Sequence, residues 1–210
     1  MAQQERATRT RAAVIDAAAA EFDAHGYEGT SLAMISKTAG LSMGAVTFHF
    51  ASKSALADTV QEEGRRRTQA ALKRATNHSA AALETAMRVT VELTGLLERE
   101  PLVRAAVRLV RERPGSDVWS DIWLPSVRDL LEEAHEQGQL HADAHPADVV
   151  LLAEILTAGA EVYLRTRLGS GARFDSASAS LERAWQLALE GIAPGANPPK
   201  LLPDERPSRL

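Results

Sequence analysis

The chain has 210 residues and a formal charge of −4, with 45% hydrophobic residues, 4% aromatic residues and no cysteine. That length buries one large core or two small ones, and the lack of cysteine excludes disulfides and thiolate metal sites. No apolar run reaches the roughly 18 residues a bilayer requires, and MAQQERATRTRAA is charged with no apolar stretch behind it, so neither a membrane span nor a secretory signal is expected and the cytoplasm is the expected compartment.

Alanine and leucine dominate, and no segment alternates as a strand, which predicts an all-α fold. Residues 8 to 25 form the first predicted helix, with Val14, Ile15, Ala18, Ala19 and Phe22 on one face, Gly26 as its stop and Tyr27 packed beneath. Arg6, Arg9 and Arg11 precede or open it and give an acidic chain a local basic footprint. Ser31 caps a helix over Leu32 to Ala39, Gly40 turns the chain, Ser42 caps a short helix from Met43, and Ser52 caps a long one from Lys53 to about Arg74. Further helices are predicted over 79–98, from Pro101 to before Pro114, over 117–137 with Pro125 starting or kinking it, over 146–167, and over 176–190. The stripe Arg104, Arg108 and Arg111 reads as a solvated face opposite a core stripe of Leu102, Val103, Val107 and Val110. Residues 194–210 are rich in proline and turn formers and are expected to be a disordered tail.

Thr30 to Lys53, TSLAMISKTAGLSMGAVTFHFASK, has the layout of a helix-turn-helix, which lays its second helix in the major groove of DNA. Met43 to His49 is about two turns long. Gly44 and Ala45 allow close approach, Ser42 and Thr47 are short hydrogen-bonding residues, and His49 can donate to a phosphate, while Val46 and Phe50 look inward and Phe48 fits either side. The helices starting near Ser31 and Lys53 present backbone N–H groups to phosphate, and Lys53 adds charge to the second. Arg9, Ser31, Ser42, Met43, Gly44, Thr47, Phe48, His49 and Lys53 are the candidate DNA contacts.

The run from FDAHGYEGTS through ISKTAGLSMGAVTFHFASKSALA resembles the DNA-binding domain of the TetR family of bacterial repressors, without a gap from about Arg9 to Val60. Two positions depart from the family pattern: Met43 stands where Lys or Arg is common, and Thr47 where tyrosine is usual, both residues that help hold phosphate. The resemblance implies an N-terminal three-helix reading domain over 1–53, a larger helical sensing and dimerisation domain over 54–193, and a homodimer paired through its last two helices. ALETAMRVTVEL, EPLVRAAVRLVRER and the Trp123 segment running into LLEEAHEQGQL further resemble the γ-butyrolactone receptor branch of actinobacterial regulators. That branch represses genes of secondary metabolism and releases double-stranded operator DNA when a small hydrophobic signal binds: a γ-butyrolactone, butenolide or furan.

Such a signal needs an apolar tunnel with a few placed hydrogen bonders. Trp123 offers a flat wall and one N–H, and the resemblance matches it to the branch's pocket tryptophan; the plainer alternative is a core residue. Thr157, in the apolar run ILTAGAEV, either faces the cavity or bonds the carbonyl one turn back. Gln61, on the connecting helix, is a second polar candidate or is solvated, and Trp119 is an alternative wall or cover. Trp185 is read as packing or dimer interface. An enzyme is the rival class, yet no G-x-S-x-G, Walker loop, G-x-G-x-x-G or H-E-x-x-H occurs, and no cofactor or metal is called for; His141, Asp143 and His145 read as a polar link. A helical interaction module would need neither the caps nor the turn glycine. A third alternative keeps the fold and changes the signal to an antibiotic or drug-like compound.

Overall fold

The computed structural model describes residues 2–77, 80–113, 115, 118–170 and 176–192, and every regular element among them is helical. Helix α1 spans Ala2–Gly29, α2 Leu32–Ala39, α3 Met43–His49, α4 Lys53–Thr76, α5 Ala82–Arg99, α6 Pro101–Glu112, α7 Leu124–Glu136, α8 Pro146–Ser170 and α9 Ala177–Ile192, with a 3₁₀ turn over Trp119–Ile122 before α7.

Helix α1 begins at Ala2, so Arg6, Arg9 and Arg11 ride on the helix rather than on an arm before it. Gly26 is the stop expected of it: its φ of 75° and ψ of −178° end the long helical run, and a separate turn follows to Gly29. A side chain there would be strained, and its Cβ would lie 2.5 Å from the Glu112 carboxylate. Thr30 fixes the exit by donating to the carbonyls of Gly26, at 2.7 Å, and Glu21, at 3.1 Å. The three serine caps form as expected: Ser31 accepts from the Met34 N–H at 3.2 Å, Ser42 from Ala45 at 3.2 Å and Ser52 from Ala55 at 3.1 Å. Between α2 and α3 the chain turns at Gly40, in the left-handed region. The turn is closed by the Leu41 N–H on the Ser36 carbonyl at 3.0 Å and the Ser36 hydroxyl on the Leu41 carbonyl at 2.6 Å.

The second half differs from the sequence pattern in its breaks. Ser79, the expected start of the fifth helix, lies outside the described residues, and α5 starts at Ala82. The single helix expected over 117–137 is a 3₁₀ turn, then Trp123, then α7. Pro125 is the cause: it lacks an N–H and suits only the first helical turn, so the regular helix cannot extend back past Leu124. Helix α8 runs to Ser170, three residues past its expected end at Arg167. The Glu98 carboxylate caps α9, accepting from the Ser176 hydroxyl at 2.9 Å, the Ser178 hydroxyl at 2.7 Å and the Ala177 N–H. Residues 194–210, the expected tail, lie outside the described residues.

Two apolar cores result. The first joins α1, α2, α3 and the start of α4 around Val14, Phe22, Ile35, Val46, Phe50 and Leu56, and it takes in Leu102, Ala105 and Leu109 of α6. The second, around Leu93, Leu97, Trp123, Leu131, Leu164 and Trp185, takes in Val103 and Val107 of the same helix and Ala71 and Ala75 of α4. Helices α4 and α6 thus belong to both cores. They touch so closely at Gly64 that a Cβ there would lie 2.3 Å from the Ala106 Cβ. Among the described residues no helix is long and apolar enough to cross a membrane, and no three His, Asp or Glu side chains gather as metal ligands.

Candidate nucleic-acid interface and ligand cavity

Helix α3 stands with Val46 and Phe50 buried beneath it and its other side open. Ser31, Ser42, Met43, Gly44 and Thr47 are exposed, Phe48 is 82% exposed, and His49 is half-buried. Nothing lies within 4 Å of where a Gly44 Cβ would stand. Phe48, which the sequence left between two sides, is thus an outward residue; the His49 ring meets it edge-on, 5.2 Å between centroids. The Thr47 hydroxyl donates to the Met43 carbonyl at 3.0 Å. Lys53 is turned inward, its ammonium 2.8 Å from the Tyr27 carbonyl and 4.2 Å from the centre of the Tyr27 ring. Its charge therefore ties α4 to the end of α1. Arg9 is exposed on α1, on the same half of the molecule as α3.

Trp119, Trp123 and Thr157 line one cavity of about 150 Å³ between α6, the 3₁₀ turn and α8. Trp123 is 1% exposed and belongs to the second core, so it is core and wall together. Its indole Nε1 is buried with no hydrogen-bond partner among the described residues, a departure from the rule that buried donors are paired. Trp119 meets it edge-on at 6.0 Å and donates its own N–H to the Thr68 hydroxyl at 3.1 Å. Thr157 is fully buried, lines the cavity and donates its hydroxyl proton to the Ala153 carbonyl one turn back, at 2.7 Å. Gln61 is not in this cavity. It lines a more open one of about 510 Å³ beside α4, and its amide oxygen accepts from Arg113. Val110, Val118 and Trp119 line both spaces. Trp185 is packing: it is 1% exposed and donates to the Thr90 hydroxyl at 2.8 Å.

Helix α6 joins the cavity to α1, and here the expected solvated arginine stripe holds for Arg111, which is exposed, but not for Arg104 and Arg108. Arg104 pairs with Asp23 at 2.8 Å, and Arg108 donates to the Asp23 carbonyl at 2.8 Å. Arg111 pairs with Glu161, a buried carboxylate of α8 that Arg165 also reaches and that lines the cavity. Arg113 follows α6, bonds Ser54 at 3.1 Å, pairs with Asp58 at 2.7 Å and lies over the Tyr27 ring at 5.1 Å. The Glu112 carboxylate accepts from the Tyr27 N–H at 2.6 Å and from Arg108 at 2.7 Å. Sequence reasoning missed this joint, because its partners lie far apart in the chain. The one available signal was Glu161 set four residues after Thr157 in an otherwise apolar stretch.

Burial raises the Glu112 carboxyl, but the Arg108 guanidinium and the Tyr27 N–H outweigh it and hold it below its ordinary value of 4.5. A carboxyl depressed by folding contributes stability above its unfolded pKa and loses it as pH falls through the folded one. Glu112→Gln should therefore flatten the fall in melting temperature between about pH 5 and pH 3. Equal acid slopes for the two proteins would contradict the pairing.

The comparisons agree with this geometry. The family model for bacterial regulatory proteins of the tetR family matches residues 14–60, from within α1 to the first turns of α4. The chain is 30% identical over 149 residues to the A-factor receptor protein of Streptomyces griseus, covering 70% of this chain and 51% of that one, so it spans about half the length of that relative. A crystal structure of a gamma-butyrolactone receptor described as ArpA-like is 30% identical, with a TM-score of 0.73 over 90% of this chain and 91% of that one. CprB from Streptomyces coelicolor, solved with its biological operator sequence, is 29% identical, with a TM-score of 0.74 over 90% and 91%. A capped pair of short helices at one end, a helical second core at the other, and a relative matched over nine-tenths of both chains lead to one assignment: the chain belongs to the tetR family of bacterial regulatory proteins.

Proposed function

We propose that this chain is a homodimeric, ligand-responsive transcriptional repressor of the cytoplasm, with no enzymatic activity. Residues 1–53 read double-stranded operator DNA, and residues 54–193 sense a small hydrophobic signal and dimerise. Helix α3 enters the major groove with Met43, Gly44, Thr47 and Phe48 toward base edges, while Arg9, Ser31, Ser42 and His49 hold phosphate. The inward Lys53 positions α4 rather than contacting DNA. Dimerisation rests on α8 and α9: Leu151, Ile155 and Val162 are more than half exposed along one face of α8, and Leu187 is 73% exposed on α9. A two-fold axis through such a bundle sets two α3 helices about 34–36 Å apart, one turn of a pseudo-palindromic duplex.

The signal is a compact polar head with an apolar tail, of the γ-butyrolactone or butenolide kind. The indole N–H of Trp123 awaits a carbonyl acceptor, Thr157 and Trp119 complete the wall, and the tail extends past Trp119 toward the Gln61 cavity. The observation that carries the reading is α6: one helix lines the cavity through Val107, Val110 and Arg111 and grips the end of α1 through Arg104, Arg108 and Glu112. A ligand that moves α6 moves α1 and the attached α3, and couplings of about 1–3 kcal/mol between such sites are ordinary. Release of the operator would relieve repression of secondary-metabolite genes.

The test is a gel shift of the full chain on the promoter of its own gene. A dimer-sized complex that a γ-butyrolactone dissociates supports the reading; no complex on that duplex, or one indifferent to every lactone and butenolide tried, counts against it. Ile155→Asp should give a monomer by light scattering and weaken operator binding at least tenfold, because one reading head holds DNA far less well than two linked ones. An unchanged dimer would remove α8 from the interface.

A further inference from the structure

The outer side of α3 has no side chain that can make a paired hydrogen bond to guanine, adenine or cytosine; Thr47 and His49 offer single ones at most. The helix reads MGAVTFH, without a single Arg, Lys, Asn, Gln, Asp or Glu. Those six residue types supply the paired hydrogen bonds that identify these bases in the major groove. The Thr47 hydroxyl commits its one proton to the Met43 and Gly44 carbonyls, at 3.0 and 3.3 Å. Lys53 is spent on Tyr27. What α3 does present is apolar: Met43, 41% exposed, and Phe48, 82% exposed, on either side of a glycine with open space around it. A phenyl ring with no polar atom gains nothing from standing in water, and covering it is favourable. The one apolar group that base pairs offer in the major groove is the C5-methyl of thymine.

We propose that α3 reads its operator through thymine methyl groups, with Phe48 and Met43 as the specificity-determining residues and Gly44 letting the helix approach closely enough for them to touch. This rests on the reading that α3 lies in the major groove. It makes the half-site a thymine pattern set by shape rather than a guanine pattern set by hydrogen bonds.

Deoxyuridine is thymidine without the methyl, and it pairs with adenine in the same way. The full chain is first used to enrich duplexes from a random-sequence library, and the best duplex is then remade with deoxyuridine at one half-site thymidine at a time. At least one replacement per half-site should weaken binding about fourfold, the factor given by burying one methyl group. Phe48→Ala, at a position exposed enough to leave the fold intact, should bind the thymidine and deoxyuridine duplexes alike at the site that Phe48 covers. An enriched duplex indifferent to every uracil overturns the methyl readout and leaves the repressor reading standing. A uracil penalty that persists undiminished in Phe48→Ala overturns the role given to Phe48. Failure to enrich any duplex overturns both this proposal and the repressor reading.

Discussion

Replacing Trp123 with alanine should destabilise the protein by about 3–5 kcal/mol, lowering the melting temperature by roughly 6–20 °C for a chain of this size. The ring is 1% exposed among Leu93, Leu97, Val127 and Leu131 in the second core, so truncation removes its burial and leaves a hole. A thermal melt without ligand measures this, and a loss under 1 kcal/mol would mean the ring is not packed as described. The size of that effect makes the alanine variant a poor test of ligand binding. Trp123→Phe is the better one. It keeps most of the wall and removes, with a small part of the ring, the Nε1–H that has no partner among the described residues. If a bound signal accepts that proton, the phenylalanine variant should lose about 1–3 kcal/mol of ligand affinity while holding operator DNA normally. Unchanged ligand affinity would place the polar head elsewhere.

Gly64→Val should be nearly as severe, at about 3 kcal/mol. The neighbour is not a flexible side chain that swings aside but the Cβ of Ala106, fixed to the backbone of α6, 2.3 Å from where the new Cβ would stand. Valine adds two further carbons at the same crossing, so α4 and α6 must separate. Both helices serve both cores, and the separation reaches α1 and α3 as well as the cavity. Ala106→Gly in the same chain should recover part of the loss, less about 1 kcal/mol for placing a glycine inside α6. A melting temperature unchanged by Gly64→Val would show that α4 and α6 do not touch there, and no rescue would show that the contact is not with Ala106.

The N-terminal helical unit was legible in the sequence because its determinants are local. Ser31, Ser42 and Ser52 each cap a helix within three residues, Gly40 turns between the first two, and the buried Val46 and Phe50 fall at helical spacing. The second half was legible as helices but not as a joint. Periodicity assigns a polar stripe to the outside of a helix, and on α6 that inference fails for Arg104 and Arg108 because α1 lies across them. Arg104 and Asp23 are 81 residues apart, and Glu112 and the Tyr27 N–H 85; no local pattern encodes such pairs. Trp123 was read as core or as pocket wall, and it is both, since a cavity of about 150 Å³ opens inside the core. The break before α7 was half legible, with Pro125 marked but its effect on Trp119 to Trp123 not foreseen.

Leu102, Ala105 and Leu109 of α6 pack within the core of the reading head. Exchanging heads between regulators of this build is therefore not a cut-and-paste operation at the boundary between α3 and α4. A chimera that imports only residues 1–53 inherits a foreign floor under its DNA-binding helices, whereas one that also carries the matching side of α6 brings its own. Natural recombination of operators with signals would face the same constraint, so drift in what is sensed and drift in what is read would be tied through a dozen residues in the middle of the chain.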